Sequence, residues 1–244
     1  IKKYMKSLYW FLNWATDKNY NTNIDFKTYS YKLRGTKNSD IQSNIIFLSW
    51  DELMNLYSLD LSENTRLAQV RDVYCFCCFT GLRYSDIANL KKSDFKTDDN
   101  GSVFIEFTTI KTDDSLTIGL NKYALALAEK YKDIPMIGNK AFPVLSNQKY
   151  NDYLKELGQV AELNSIENRI DYKGNKRIEN TFHKWELLTS HTARKTFVTN
   201  ALAMGIQPDV IRKWTGHKDH KTMETYIKIV EAQKQTAMNK FNER

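Results

Sequence analysis

The spacing of hydrophobic positions predicts a mostly helical chain. The first helix covers residues 4–15, where apolar side chains recur along one stripe at Tyr4, Leu8, Phe11, Leu12 and Ala15. Trp10 and Trp14 lie off that stripe, so we expect the helix to bury a second face. The polar and basic residues that follow show no periodicity, which predicts a linker and a domain boundary near residue 45.

Start and stop signals place the later helices. Ser49 and Glu52 have the spacing of a capping box, and a longer helix runs from about Glu63 to Thr80 and stops at Gly81. In the carboxy-terminal part, Pro marks a helix start and Gly marks helix ends. The other predicted helices are 121–132, 150–163, one capped by Ser190 that ends at Gly205, one from Pro208 to Gly216, and one from Lys221 to Phe241.

One stretch alternates with the period of a strand instead. Residues 103–120, "VFIEFTTIKTDDSLTIGL", form two strand-like runs around a polar turn, which predicts a β-hairpin with Lys111 near its tip. Residues 164–188 are irregular and predict at most short strands. The fold class is therefore mainly α with a small antiparallel β-sheet (α+β), with residues 1–45 and 46–244 as its two domains.

The composition suits a globular chain with an acidic polymer as partner. The 244 residues are 41% hydrophobic, and no apolar run is long enough to span a bilayer. The net charge is +7, and residues 1–45 carry eight Lys or Arg against three Asp, so that segment is +5. Such a segment suits nucleic-acid phosphates, and a solvated helix face explains it equally well. Because the chain begins at Ile1 without a signal-peptide pattern, we expect a piece of a longer protein.

Three cysteines crowd the segment "VYCFCCFTG" at Cys75, Cys77 and Cys78. A zinc site would need separated Cys pairs, or Cys with His at ligand spacing, and neither is visible. We interpret the thiols as buried small hydrophobic groups of a cytoplasmic protein.

The candidate chemistry begins in residues 191–226, "HTARKTFVTNALAMGIQPDVIRKWTGHKDHKTMETY". His191 and Arg194 are three apart near a helix start, so they share a face, and the backbone N–H groups there favour an anion. His217 follows the predicted helix end, and Tyr226 lies in or just before the last helix.

A second arginine, Arg83, follows a helix end in "TGLRYSDIANL", and Asp86 is placed to hold its guanidinium. With Lys111, the chain offers cations, histidines and a tyrosine without a carboxylate cluster for magnesium. That set fits metal-free phosphoryl transfer, in which cations hold phosphate oxygens, a nucleophile attacks and an acid protonates the leaving oxygen. Singly, each residue has an ordinary role in a surface ion pair or a core, so the ordered combination carries the interpretation.

That combination resembles the signature boxes of the tyrosine recombinase (phage integrase) family. The matching segments are "TGLRYSDIANLKKSDF", "HTARKTFVTNALAMG" and "TGHKDHKTMETYIK". The resemblance covers residues 46–230, and residues 1–45 more loosely resemble the last helix of the family's core-binding domain and the interdomain linker. The chain departs from the usual boxes at Ala193, Lys195 and Gly119, none of which is a catalytic position.

The resemblance implies a role for each candidate residue. Arg83, Arg194 and His217 would stabilise a phosphorane-like transition state. Tyr226 would attack a DNA phosphate to form a 3′-phosphotyrosyl bond. Lys111 would protonate the leaving 5′-oxygen, and His191 would take the tyrosine proton or orient the phosphate.

The resemblance also implies what the protein works with. It implies a site-specific recombinase that integrates or excises a mobile element in the bacterial cytoplasm, at the nucleoid, with no metal, ATP or other cofactor. The implied partners are double-stranded DNA, other protomers in a tetrameric synapse and accessory DNA-bending proteins, with no membrane.

Three alternatives share parts of this pattern. A type IB topoisomerase uses the same chemistry, and a non-catalytic DNA-binding protein keeps the fold. A metal-dependent hydrolase would use His217 and His220, without a supporting carboxylate motif.

The tail after Tyr226 carries a partly apolar stripe at helical spacing. This stripe packs on its own domain or, as the resemblance implies, docks on a neighbouring protomer. Its residues are Val230, Lys234, Ala237, Met238 and Phe241.

Overall fold

The computed structural model of the chain has two compact units. One consists of Ile1–Thr36 with Tyr172–Lys176, and the other of Lys37–Asp171 with Arg177–Arg244. The boundary near residue 45 stays a prediction, because the residues just before it lie outside the described part of the chain. The structure describes residues 2–29, 45–173, 176–217 and 220–239.

The smaller unit is built on helix α1, Lys2–Asp17, which confirms the first predicted helix. The Tyr9 hydroxyl donates a hydrogen bond to the backbone carbonyl of Tyr29. Trp10 and Trp14 are 71% and 42% exposed, so the second buried face that we predicted is not formed within the described residues.

The larger unit holds the other described helices. Apart from the short helix Tyr84–Ile87, which was not predicted, they confirm the predicted order with shifts of a few residues at the ends. Short 3₁₀ turns at Lys92–Asp94, Ile137–Asn139 and Lys184–Leu187 connect some of these elements, and a further one, Asp25–Lys27, follows α1 in the smaller unit. The helices are α2 Trp50–Ser58, α3 Thr65–Thr80, α4 Tyr84–Ile87, α5 Lys122–Lys132, α6 Asn147–Val160, α7 Ser190–Ala203, α8 Pro208–Thr215 and α9 His220–Asn239.

Two small antiparallel sheets accompany the helices. Strands β2 and β3 are the predicted hairpin, in register with Ile105 opposite Ile118. A short strand β1 adds to the edge of β2, and the sequence pattern did not reveal it. The two-stranded pair β4–β5 occupies the segment that was predicted to be irregular with at most short strands, and each of its strands has eight residues. The strands are β1 Phe95–Thr97, β2 Val103–Thr108, β3 Ser115–Gly119, β4 Ile166–Lys173 and β5 Lys176–His183.

Helix α3 lies at the centre of the larger unit, in contact with α2, α5, α6 and α7. Its residues are buried on every side from Val73 to Thr80, as expected for a helix that is apolar all round. The three thiols of this helix are free and buried, which confirms their interpretation as small core residues. Burial raises the pKa of the Cys75 and Cys77 thiols, so both stay protonated and unreactive.

Helix α7 begins one residue earlier than its sequence suggested. Thr189, rather than Ser190, has the extended cap conformation, and its N–H donates to the Thr192 hydroxyl at 3.2 Å. Ser190 is the first helical residue, and its N–H donates to the Asn151 side chain at 2.7 Å. The Ser49 capping box is confirmed, since Ser49 N donates to Glu52 at 2.7 Å.

No helix among the described residues is long and apolar enough to cross a membrane.

Gly81 ends α3 in the left-handed conformation, with φ 74°, and packs tightly. A Cβ at this position would lie 2.6 Å from the ring of Phe197 and 3.1 Å from Thr215. We expect Gly81→Ala to reduce the free energy of unfolding by about 2–5 kcal/mol, because backbone strain adds to overpacking. Gly205→Ala is the matched control, since Gly205 has φ 85° and a Cβ there would meet nothing within 4 Å. Equal losses in urea denaturation of the two variants would contradict the packing argument.

Candidate active site

The turn after α3 presents Arg83. Gly81 reverses the chain, and Arg83 follows it in extended conformation at the start of α4. The Arg83 guanidinium faces Asp86, with 3.8 Å between Nη1 and Oδ2. Within the described part of the chain, Arg83 Nη1 and Asp86 Oδ2 are buried without a hydrogen-bond partner. A buried guanidinium nitrogen held by charge alone is available for an incoming anion.

Asp86 also holds the loop that carries Lys111. Its other oxygen, Oδ1, accepts from the backbone N–H of Ile110 at 3.2 Å. The loop closes on itself through Thr109, whose N–H donates to the Asp114 carbonyl at 2.9 Å. Lys111 is exposed in this turn. The position of the turn is fixed by Asp86, which also pairs with Arg83. The predicted link from Asp86 to Arg83 is confirmed, and the link to the hairpin is new.

Arg194 lies in the interior of the site and is only 2% exposed. Its Nη1 donates to the carbonyl of Gly81 at 2.9 Å, and its Nη2 donates to the carbonyl of Thr215. One side chain thus joins the turn before Arg83 to the helix end before His217. A guanidinium has five N–H donors, so hydrogens remain for a phosphate after these bonds. Burial lowers the pKa of Arg194, and the charge of Arg83 lowers it further.

His217 begins the segment after α8, where Gly216 ends the helix with φ 64°. Its Nε2 lies 3.2 Å from Arg194 Nη2, and its Nδ1 lies 2.8 Å from the Thr215 hydroxyl. Burial lowers the pKa of His217 to about 3, and the charges of Arg194 and Arg83 act in the same direction. The ring is therefore neutral at physiological pH when no anion is bound.

His191 lies in the first turn of α7, three residues before Arg194. Partial shielding of its ring lowers the pKa, and the charges of Lys195, Arg194, Arg83 and Lys111 lower it further. His191 shares helix α7 with Arg194, and its ring experiences the positive charge of both arginines and of the hairpin lysine. A neutral imidazole in this position can accept a proton.

Tyr226 projects from α9 into an apolar cluster and is 7% exposed. Burial raises the pKa of its phenol, and the charge of Arg194 opposes that rise. The phenol is therefore protonated at neutral pH and needs a base before it can attack. The described cluster around it comprises Val198, Ala201, Leu202, Ile211, Met223 and Val230.

The structure tests part of the prediction that the tail after Tyr226 carries an apolar stripe. Val230 is 5% exposed and packs beside Tyr226 on its own domain. Lys234 is exposed. Phe241 and the side chains of His220, Ala237 and Met238 lie outside the part of the molecule that is described, so the predictions for them stay open.

A family model described as the phage integrase family matches residues 47–233, which is most of the chain. The chain belongs to the phage integrase family. A comparison of the sequence with curated proteins finds no match.

Solved structures with the phage integrase fold resemble this chain. A lambda integrase dimer bound to a COC′ core site has a TM-score of 0.61 at 16% identity, covering 91% of this chain and 71% of that one. The Tn1549 transposon integrase with circular intermediate DNA has a TM-score of 0.61 at 14% identity, covering 92% and 73%. The XerH site-specific recombinase bound to palindromic difH has a TM-score of 0.58 at 16% identity, covering 81% and 54%.

At these identities the likeness concerns the fold. It confirms the mainly helical fold with small antiparallel sheets and the resemblance to tyrosine recombinases. The chain spans about half the length of the XerH recombinase, 54%, and 65% of the XerA recombinase.

Proposed function

We propose that the chain is the catalytic part of a site-specific DNA recombinase that cleaves and rejoins strands through a 3′-phosphotyrosyl bond. The main support is that the buried Arg194 donates to the carbonyl of Gly81 at 2.9 Å, which brings its guanidinium to the turn that presents Arg83. The charge of Arg83 lowers the pKa of Arg194, in agreement with that placement. Two neighbouring guanidinium groups repel each other unless an anion lies between them. A phosphodiester is an anion whose oxygens match both forks.

The attack begins with Tyr226 in this proposal. Its phenol oxygen forms a bond to the phosphorus, and the bond from phosphorus to the 5′-oxygen breaks. Arg83 and Arg194 hold the non-bridging oxygens, where negative charge grows in the transition state. His191, which is neutral and lies near both arginines, accepts the phenol proton.

Departure of the 5′-oxygen requires a proton, and Lys111 supplies it. Lys111 is exposed at the hairpin turn that Asp86 anchors, so it can reach a duplex lying across the site. A 5′-hydroxyl from another strand then reverses the step, and the phosphotyrosyl bond keeps the energy of the broken phosphodiester. No step needs ATP or a metal ion.

Relatives indicate the assembly that this chemistry would serve. Lambda integrase has been solved as a tetramer bound to a Holliday junction, and the XerH recombinase with its difH substrate. We propose double-stranded DNA and further copies of this chain as partners, with accessory DNA-bending proteins and a mobile element in a bacterial cell as the setting.

The proposal predicts a covalent protein–DNA adduct on nicked DNA. In a pool of nicked duplexes of random sequence, cleavage near the nick releases a short 5′-hydroxyl strand that diffuses away, so the adduct accumulates. We expect an SDS-resistant adduct that forms without ATP and persists in EDTA, and sequencing its DNA would identify the site. Absence of any adduct, or its loss in EDTA, would contradict the proposal.

A further inference from the structure

Thr215 contacts the ring of His217 from inside helix α8. Its side chain is fully buried, and its hydroxyl donates to the carbonyl of Ile211 at 2.6 Å. The same oxygen lies 2.8 Å from His217 Nδ1. A hydroxyl has one proton, so an oxygen that donates to Ile211 can only accept from the ring. Nδ1 therefore carries the proton of the neutral imidazole.

The opposite ring nitrogen, Nε2, is consequently unprotonated and can only accept a hydrogen bond. His217 Nε2 lies 3.2 Å from Arg194 Nη2, and a guanidinium only donates. Arg194 thus donates to Nε2, in agreement with the tautomer that Thr215 selects. Two independent neighbours define the same proton position.

The non-bridging oxygens of a phosphodiester only accept hydrogen bonds. To contact one of them, Nε2 must therefore donate a hydrogen bond and cannot stay unprotonated. We propose that Thr215 is a positioning residue that fixes His217 in the Nδ1–H tautomer, so that His217 must take up a proton at Nε2 to hold a phosphate oxygen. This inference rests on the proposed function. The proton comes from solvent when the phosphate binds and returns when it leaves, so atoms and charge balance.

The charged groups around the ring explain why the proton arrives only with the phosphate. Arg83 at the start of α4, Arg194 of α7 and Arg212 of α8 all oppose a positive imidazole, and His191 of α7 does so only when it is itself protonated. The charge of Arg194 opposes the rise in the pKa of Tyr226 of α9, whose buried phenol stays neutral. A bound phosphate anion offsets these cations and raises the pKa of His217 from about 3.

The sign of the pH effect follows from that rise. Because the pKa is higher in the complex, phosphate binding gains from protonation below the bound pKa and loses that gain as pH rises through it. Between the free and bound pKa values, affinity should fall by up to about tenfold per pH unit, the limit for one proton.

Nitrogen-15 NMR of the histidine rings tests the inference directly. The chain has only four histidines, and His217→Gln identifies the resonances of His217 by their loss. In the free protein at neutral pH we expect a protonated Nδ1 and a bare Nε2. With the duplex that forms the Tyr226 adduct, bound to the Tyr226→Phe variant, we expect both ring nitrogens protonated.

Two matched substitutions test Thr215 itself. Thr215→Ser keeps the hydroxyl and should reproduce proton uptake. Thr215→Val removes the acceptor while keeping the branched shape, so the bound ring can switch to a neutral Nε2–H tautomer. We expect this variant to bind DNA with a singly protonated ring and with most of the pH slope of affinity removed.

Each outcome has one meaning. A free ring protonated at Nε2, or a bound ring with a bare Nδ1 in the unsubstituted site, would overturn the inference. Proton uptake that survives in Thr215→Val would overturn the role of Thr215. If no duplex forms an adduct, the proposed function fails, and the free-protein spectrum still decides which tautomer Thr215 selects.

Discussion

Replacing Arg194 with Ala is expected to lower the rate of adduct formation by at least about 10²–10³-fold, the usual loss for one transition-state donor. The substitution removes the proposed phosphate ligand and also the donor to the carbonyls of Gly81 and Thr215. Each buried carbonyl left without its donor costs about 1–3 kcal/mol, so for the two carbonyls we expect a free energy of unfolding lower by about 2–6 kcal/mol. Single-turnover cleavage and urea denaturation measure the two effects.

Two further substitutions separate charge from geometry at this position. Arg194→Lys keeps the positive charge, but one ammonium cannot replace a planar fork that spans two carbonyls and a phosphate. We therefore expect more than a tenfold loss of rate. Arg66→Ala, which removes a surface arginine paired with Glu156, is the control and should leave the rate unchanged. An Arg194→Ala protein that cleaves within tenfold of the unsubstituted rate would contradict the placement of Arg194 at the phosphate.

Replacing Lys111 with Ala should slow cleavage of ordinary DNA by about 10²–10⁴-fold, as expected for the loss of one proton donor. The leaving group is an alkoxide, whose conjugate acid has a pKa of about 15, like that of water. A thiol has a pKa of about 8.5, so a 5′-thiolate leaves without a donor. On a substrate with sulfur at the bridging 5′ position, Lys111→Ala should therefore return to nearly the unsubstituted rate.

The same sulfur substrate separates Lys111 from the residues that hold the phosphate. Arg83→Ala should stay slow on it, because Arg83 acts on the non-bridging oxygens that sulfur leaves unchanged. Lys96→Ala, at another exposed lysine of the same sheet, should be normal on both substrates. A Lys111→Ala variant that is equally slow on both substrates would show that the general acid lies elsewhere.

The elements with strong local signals were predictable from sequence. Gly81, Pro208 and Gly216 favour helix ends through their own backbone conformations, so they marked the ends of α3 and α8 correctly. The length and pairing of β4 and β5 were not predictable, because their residues are mostly polar and show no alternation. The start of α7 was misplaced by one residue, because Thr189 and Ser190 are both good caps and tertiary contacts decide between them.

In the candidate site, too, the features set by local sequence were predictable and the contacts between distant residues were not. The ordered motif gave the candidate residues, and the spacing of Arg83 and Asp86 gave their ion pair. The link from Asp86 to Ile110 and the bonds from Arg194 to two distant carbonyls join residues far apart in the chain. Periodicity reports which side chains share a face and says nothing about such distant contacts. The sequence did contain one indication of the His217 tautomer, since Thr215 lies two residues before His217 in the last box and has a hydroxyl that can contact the ring.

The central claim is that the oxygen of Tyr226 becomes bonded to DNA. Trypsin cuts after Lys221 and Lys228, which isolates Tyr226 on the peptide "TMETYIK", where it is the one tyrosine. Mass spectrometry of the digested, nuclease-treated adduct locates the attached nucleotide. Tyr84→Phe is the matched control, because Tyr84 lies beside Arg83 and its hydroxyl donates to the Leu145 carbonyl at 2.6 Å.

We predict that this peptide carries the nucleotide mass on Tyr226, that Tyr226→Phe binds DNA and forms no adduct, and that Tyr84→Phe forms it normally. An adduct on any other residue, or one that persists in Tyr226→Phe, would contradict the account.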